Sequence, residues 1–220
     1  MSKASFLLQI GEGLAVTAVR TLPHSGAAKA MFVYAPGAGS NIKDPFGDYL
    51  SHRLAESGIA TIRFQFPYME AGKRRPDSPR LLEETWRQVI ETVGAEETPL
   101  VIGGRSMGGR IASQVVAQGT QVDGLALFAY PLSPPGRPDK PRDEHLPSIS
   151  VPTLFCSGTR DAFGTPDQLA EASSLVPVST VHLLDGADHG FAVLKSSGRT
   201  REDVWSDATS CLLDWLASLG

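Results

Sequence analysis

At 220 residues the chain is long enough to bury a sizeable core without disulfide staples, and residues 1–220 are expected to form one domain. Apolar residues make up 41% and charged residues 20%, with a net charge of −4, which excludes general disorder and a nucleic-acid-binding footprint and leaves a small molecule as the expected partner. Cys156 and Cys211 stand far apart with no CxxC spacing, so no zinc site or disulfide framework is expected and reduced cytoplasmic thiols are.

Short apolar β-branched runs alternate with amphipathic segments, the pattern of βαβ units around a parallel sheet. The start, with Lys3 and the stretch FLLQI, is interrupted by Glu12 before a signal-peptide core forms, and no apolar run is long enough to span a membrane. SFLLQIGEGLAVTAVRTLP predicts two antiparallel edge strands turning at Gly11 to Gly13, and AMFVYAPGAGS a buried strand running into a glycine-rich loop. Pro45 opens a helix, PFGDYLSHRLAESG, whose Phe46, Tyr49, Leu50 and Leu54 share a face and which ends at Gly58. Strand IATIRF comes directly after it.

QFPYMEAGKRRPDSP carries three prolines and a basic run, Lys73 to Arg75, so it reads as a loop with the basic run in solvent. A helix over 81–93, a strand over 99–104, a helix over 107–118 and a strand over 124–130 come next. PLSPPGRPDKPRDEHLP has six prolines in seventeen residues, which excludes a regular element; it stands as a loop where a cap would be inserted in a larger protein. Strand VPTLFCSG, helix PDQLAEASSLV, strand VSTVHLL and a closing helix over about 202–219 complete the set.

The informative segment is PLVIGGRSMGGRIASQVVAQ, where Gly104, Ser106 and Gly108 form G-x-S-x-G between a buried strand and a helix. A nucleophilic serine has to project from a sharp turn, and side chains at the two glycines would collide with the closely approaching backbone. The helix N-terminus adds free amides and positive potential for an oxyanion. The motif alone recurs by chance; its place between strand and helix gives it weight. SGTRDAFGTP puts Asp161 just past a parallel strand, where functional groups of open α/β sheets gather, and LLDGADHGF does the same for His189. The chain order is therefore Ser106, Asp161, His189.

On these segments the sequence resembles the α/β-hydrolase superfamily, in particular its small lidless members of the dienelactone-hydrolase and carboxylesterase kind, over nearly the whole chain. The resemblance implies a three-layer sandwich with a mostly parallel sheet of about seven or eight strands and no cap domain. It implies Ser106 as nucleophile, His189 as general base and acid, Asp161 as the carboxylate orienting His189, and the amides of Met107 and Ala38 as the oxyanion hole. The loop holding Ala38 commonly begins His-Gly in that family; here it reads Pro36-Gly37-Ala38-Gly39. The segments GRSMGGR, GTRDAFG and DHGF also resemble a branch of predicted hydrolases whose members include a chromatin-complex scaffold subunit.

The expected activity is thus hydrolysis of a small carboxylic ester or thioester through an acyl-enzyme, with a non-catalytic interaction protein of the same fold as the alternative. Asp188 is a competing acid for His189, but a loop carboxylate beside the histidine is expected to bond local amides. His24, His52, His145 and His182 have no partner at a chemical spacing. GGRSMGG lacks the Lys-Ser/Thr ending of a phosphate loop and PGAGSNI the third glycine of a dinucleotide fingerprint, so neither a nucleotide nor a metal cofactor is expected. Arg105 and Arg110 flank the serine; pointed into a pocket they would favour acidic substrates, and otherwise they lie on the helix surface. Nothing in the sequence indicates the oligomeric state.

Overall fold

The computed structural model of the protein describes residues 1–24, 26–94, 98–134 and 140–219. Its centre is an eight-stranded sheet in the order β1-β2-β4-β3-β5-β6-β7-β8. Strands β1 (Ser2–Gly11) and β2 (Leu14–Leu22) make an antiparallel hairpin, and β2 pairs antiparallel with β4 (Ala60–Phe64). Only β1 of that hairpin is an edge; β2 has a partner on both sides. From β4 onward every pairing is parallel, through β3 (Met31–Ala35), β5 (Leu100–Arg105), β6 (Gly124–Phe128), β7 (Thr153–Gly158) and β8 (Ser179–Leu184).

Helices cover both faces, which is why β3, β4, β6 and β7 are buried along their whole length and are mostly apolar, with Thr61, Arg63, Thr153 and Ser157 as buried polar exceptions. Helices α1 (Pro45–Glu56) and α6 (Arg201–Ala217) pack Phe46, Leu50, Leu54, Leu212 and Trp215 against one face. On the other, α3 (Pro79–Val93), α4 (Met107–Ala117) and α5 (Pro166–Ser174) bring in Leu82, Trp86, Ile111, Val115 and Leu169. The result is the three-layer arrangement expected. No described helix is long and apolar enough to cross a membrane.

Besides β2, two segments depart from the sequence expectation. The piece read as a loop after β4 contains a one-turn helix, α2 (Pro67–Glu70), because Phe66 and Tyr68 on either side of Pro67 are both buried. Their rings stack with centroids 6.5 Å apart, and Asp77 holds the Tyr68 amide at 2.8 Å. Lys73 to Arg75 are exposed, as expected. Strand β6 stops at Phe128, two residues early, because Ala129 turns into the left-handed region at φ 47°. In the proline-rich segment, residues 135–139 lie outside the described residues, and the stretch from residue 140 onward ends in a 3₁₀ turn at Leu146–Ser148.

Candidate active site

The site forms at the carboxyl ends of β5, β7 and β8, where the parallel strands release their chains into loops. Strand β5 ends at Arg105, and Ser106 comes next with φ 52° and ψ −118°, a backbone conformation that side chains other than glycine rarely adopt. The Ser106 amide donates to the Phe128 carbonyl at 2.8 Å, so the turn is tied to the neighbouring strand. Gly104 and Gly108 permit the turn: a Cβ on either would lie 2.2 Å from the Ala35 carbonyl oxygen. From the far side Trp86 of α3 donates its indole N–H to the Gly108 carbonyl at 3.1 Å, fixing the first turn of α4.

The loops after β7 and β8 are sewn together before they reach the serine. The Arg160 amide donates to the Ala187 carbonyl at 2.9 Å, and the Gly186 amide to the Thr159 hydroxyl at 2.8 Å. This brings Asp161, 3% exposed, against His189: Nδ1 of the imidazole lies 2.8 and 3.0 Å from the two carboxylate oxygens. Its Nε2 lies 2.9 Å from Ser106 Oγ. Asp161 also accepts from the Phe163 amide at 2.8 Å, and the Phe163 ring meets the imidazole edge-on at 4.4 Å. Two residues past the histidine, Phe191 is fully buried and takes a φ of 60°, with its ring 5.0 Å from that of Phe46. It anchors the histidine loop in the α1 side of the core.

Asp188 is bonded to its own loop instead, accepting from the amides of Gly190 and Ala192 at 2.8 and 2.9 Å. Ser106, His189, Met107 and Ala38 share the wall of one cavity of about 510 Å³, which Gly37, Leu82, Pro131 and Phe163 also line. Neither the Met107 nor the Ala38 amide is engaged by another described residue. Both arginines beside the serine reach this cavity, together with Arg142 from the proline-rich segment. Arg105 is 3.6 Å from Asp44, a 3% exposed carboxylate that also accepts from the Tyr34 hydroxyl and from the Gly47 amide at the start of α1. Among the described residues no three His, Cys, Asp or Glu side chains are grouped to hold a metal.

A second serine–histidine pair lies one layer deeper. Ser113 donates to the Arg110 carbonyl at 2.7 Å and lies 2.7 Å from His145 Nε2. The serine is wholly enclosed and lines no part of the cavity, so substrate has no route to it. Burial, with the Arg110 charge as the next cause, pushes the His145 pKa down to about 4. In the unfolded chain the same imidazole takes up its proton near 6.5. The stability supplied by a neutral His145 is therefore complete above pH 6.5 and is lost as the pH falls toward 4. We expect the Tm of the wild-type protein to drop more steeply across that window than that of His145→Asn; parallel curves would contradict it.

A sequence profile described as an alpha/beta hydrolase domain matches residues 28–217. The chain belongs to that α/β-hydrolase family. Solved structures sharing this hydrolase's fold include an alpha-beta serine hydrolase homologue from Coxiella burnetii, at 20% identity and a TM-score of 0.77, covering 96% of this chain and 98% of that one. A dienelactone hydrolase from Anabaena variabilis aligns at 19% identity and 0.74, covering 95% of each chain. A serine hydrolase without a lid from Xanthomonas campestris aligns at 18% and 0.73, covering 97% of this chain and 94% of the other. At these identities the likeness is one of fold, while family membership supports hydrolase activity.

Phe163 and Phe191 of the α/β-hydrolase site lie within the segments GTRDAFG and DHGF that carry the resemblance, each the aromatic two residues past Asp161 or His189, but the sequence assigns neither a role. Arg142 carries no signal, because it reaches the cavity from an aperiodic segment.

Proposed function

We propose that the protein is a serine hydrolase that cleaves small carboxylic esters or thioesters through an acyl-enzyme on Ser106. The observation that carries this reading is the unbroken relay from Ser106 Oγ through His189 to a buried Asp161, with both contacts at hydrogen-bond length and the serine open to a cavity. Asp161 accepts a hydrogen bond from the Nδ1–H of His189, which leaves the Nε2 lone pair facing the serine hydroxyl. Ser106 Oγ attacks the carbonyl carbon as its proton passes to His189. The carbonyl oxygen becomes an oxyanion and takes the free amides of Met107 and Ala38. His189 then returns the proton to the departing alcohol or thiol, leaving Ser106 acylated. Water gives a proton to His189, attacks the acyl carbon, and releases the acid as the proton returns to Ser106. Every proton moves among serine, imidazole, the leaving alcohol or thiol and water, so these steps call for no cofactor, and one domain suffices for them.

A fluorophosphonate probe tests the reading directly, because it phosphonylates only a serine already activated by its base. We expect one adduct per chain, located by mass spectrometry on the peptide containing Ser106. Folded protein that takes up no probe would overturn the hydrolase reading and leave an interaction protein of the same fold.

A further inference from the structure

The arginines around the cavity are not equivalent. Arg105 has its carboxylate in Asp44. Arg110 stands one helical turn beyond Ser106, its amide donating to the Ser106 carbonyl at 3.0 Å. Its Nε is fully enclosed and without a hydrogen-bond partner, and its Nη1 reaches only the neutral amide of Gln114, at 3.2 Å. Arg142 lines the same cavity from the proline-rich segment. Among the described residues neither Arg110 nor Arg142 is within ion-pair distance of a carboxylate.

The two nearest acids have other contacts, although Asp77 keeps its charge on the cavity wall. Asp77, the carboxylate lining the cavity, accepts the Tyr68 amide at 2.8 Å, and Glu83 pairs with Arg87 at 3.2 Å. Two unpaired cations so close repel each other, and burial followed by the Arg142 charge lowers the Arg110 pKa. The fold nevertheless holds Arg142 in place. Tyr130 donates its hydroxyl to the Arg142 carbonyl at 2.9 Å, the Arg142 amide donates to Leu132 at 2.7 Å, and His145 three residues on is bonded to Ser113 of α4. Such an arrangement costs stability when empty and gains it when an anion enters.

We propose that Arg110 and Arg142 form an anion subsite, and that the substrate is an ester bearing a carboxylate which rests there while its carbonyl lies at Ser106. This rests on the hydrolase reading and adds the substrate class to it. Arg110 lies in the first turn of α4, which begins directly after Ser106, and both residues line one cavity, so a short spacer joins the two groups of the substrate.

Two measurements test the proposal separately from that reading. In the first, glutarate is titrated into the whole protein by calorimetry, with butyrate as the neutral-tailed control. We expect saturable glutarate binding, butyrate binding at least about tenfold weaker, and loss of the difference in Arg142→Gln and in Arg110→Gln, the scale of one charge-assisted hydrogen bond. In the second, kcat/KM is compared within matched pairs of esters. 4-Nitrophenyl hemiglutarate against 4-nitrophenyl butyrate places the carboxylate on the acyl side, and O-acetylglycolate against ethyl acetate places it on the alcohol side.

One pair should favour the anionic ester by about tenfold or more, and Arg142→Gln should bring that ratio toward one. A ratio cancels any general loss of activity, and Arg142→Gln stands in should Arg110→Gln fail to fold. Turnover with no glutarate binding and ratios near one in both pairs overturns the subsite alone. Glutarate binding that both variants abolish, without turnover or probe labelling, supports the subsite and counts against the hydrolase reading.

Discussion

Ser106→Ala is expected to lower kcat by as much as roughly 10⁶ while the protein keeps its fold, if the three residues act as a unit. The substitution removes Oγ, the only atom of the serine that His189 Nε2 touches, and leaves the imidazole bonded to Asp161. What survives would be the modest acceleration that a cavity and free amides give to attack by water. Initial rates on a 4-nitrophenyl ester, with protein purified free of endogenous esterases and circular dichroism as the check on folding, decide it. A variant retaining a tenth of wild-type activity would remove Ser106 from the chemistry.

The second large effect concerns the acid. Asp161→Asn should cost as much as roughly 10⁴ in kcat, the scale seen when a triad carboxylate becomes an amide and the histidine settles in the wrong tautomer. Its carboxylate meets His189 through both oxygens and sits almost wholly out of water, so no solvent substitutes for the lost charge. Asp188→Asn keeps an acceptor oxygen for the Gly190 and Ala192 amides and should cost far less. Both variants are assayed at one pH. A tenfold greater loss in Asp188→Asn would transfer the role of acid to that residue.

Much of this site is legible in the sequence because each of its three groups comes after a strand that announces itself. LVIGG and TLFC are short, largely apolar runs and STVHLL is a short segment with β-branched residues, and in a parallel sheet their carboxyl ends share one edge, so Ser106, Asp161 and His189 arrive at one place. What stays hidden depends on partners far along the chain. The helical turn at Pro67 exists because Phe66 and Tyr68 find buried positions, which no local pattern foretells. Arg142 reaches the cavity only because Leu132 and Tyr130 bond its backbone. The contrast between Arg105 and Arg110 is equally invisible, since it turns on Asp44, sixty-one positions before Arg105, and the sequence alone does not show which arginine it neutralises.

The backbone of Ser106 has a consequence for how such a protein changes under selection. At φ 52° and ψ −118° the residue occupies ground that glycine holds without penalty and that serine holds at a cost of order 1–3 kcal/mol. The neighbouring strand and the Trp86 contact keep the tension from relaxing, so it lies permanently beneath the reacting oxygen. A lineage freed from the need for catalysis would gain stability by replacing the serine with glycine. Persistence of a serine at this position is therefore sustained against the fold's own preference, and its loss in a descendant would record that the chemistry had been given up while the scaffold was kept.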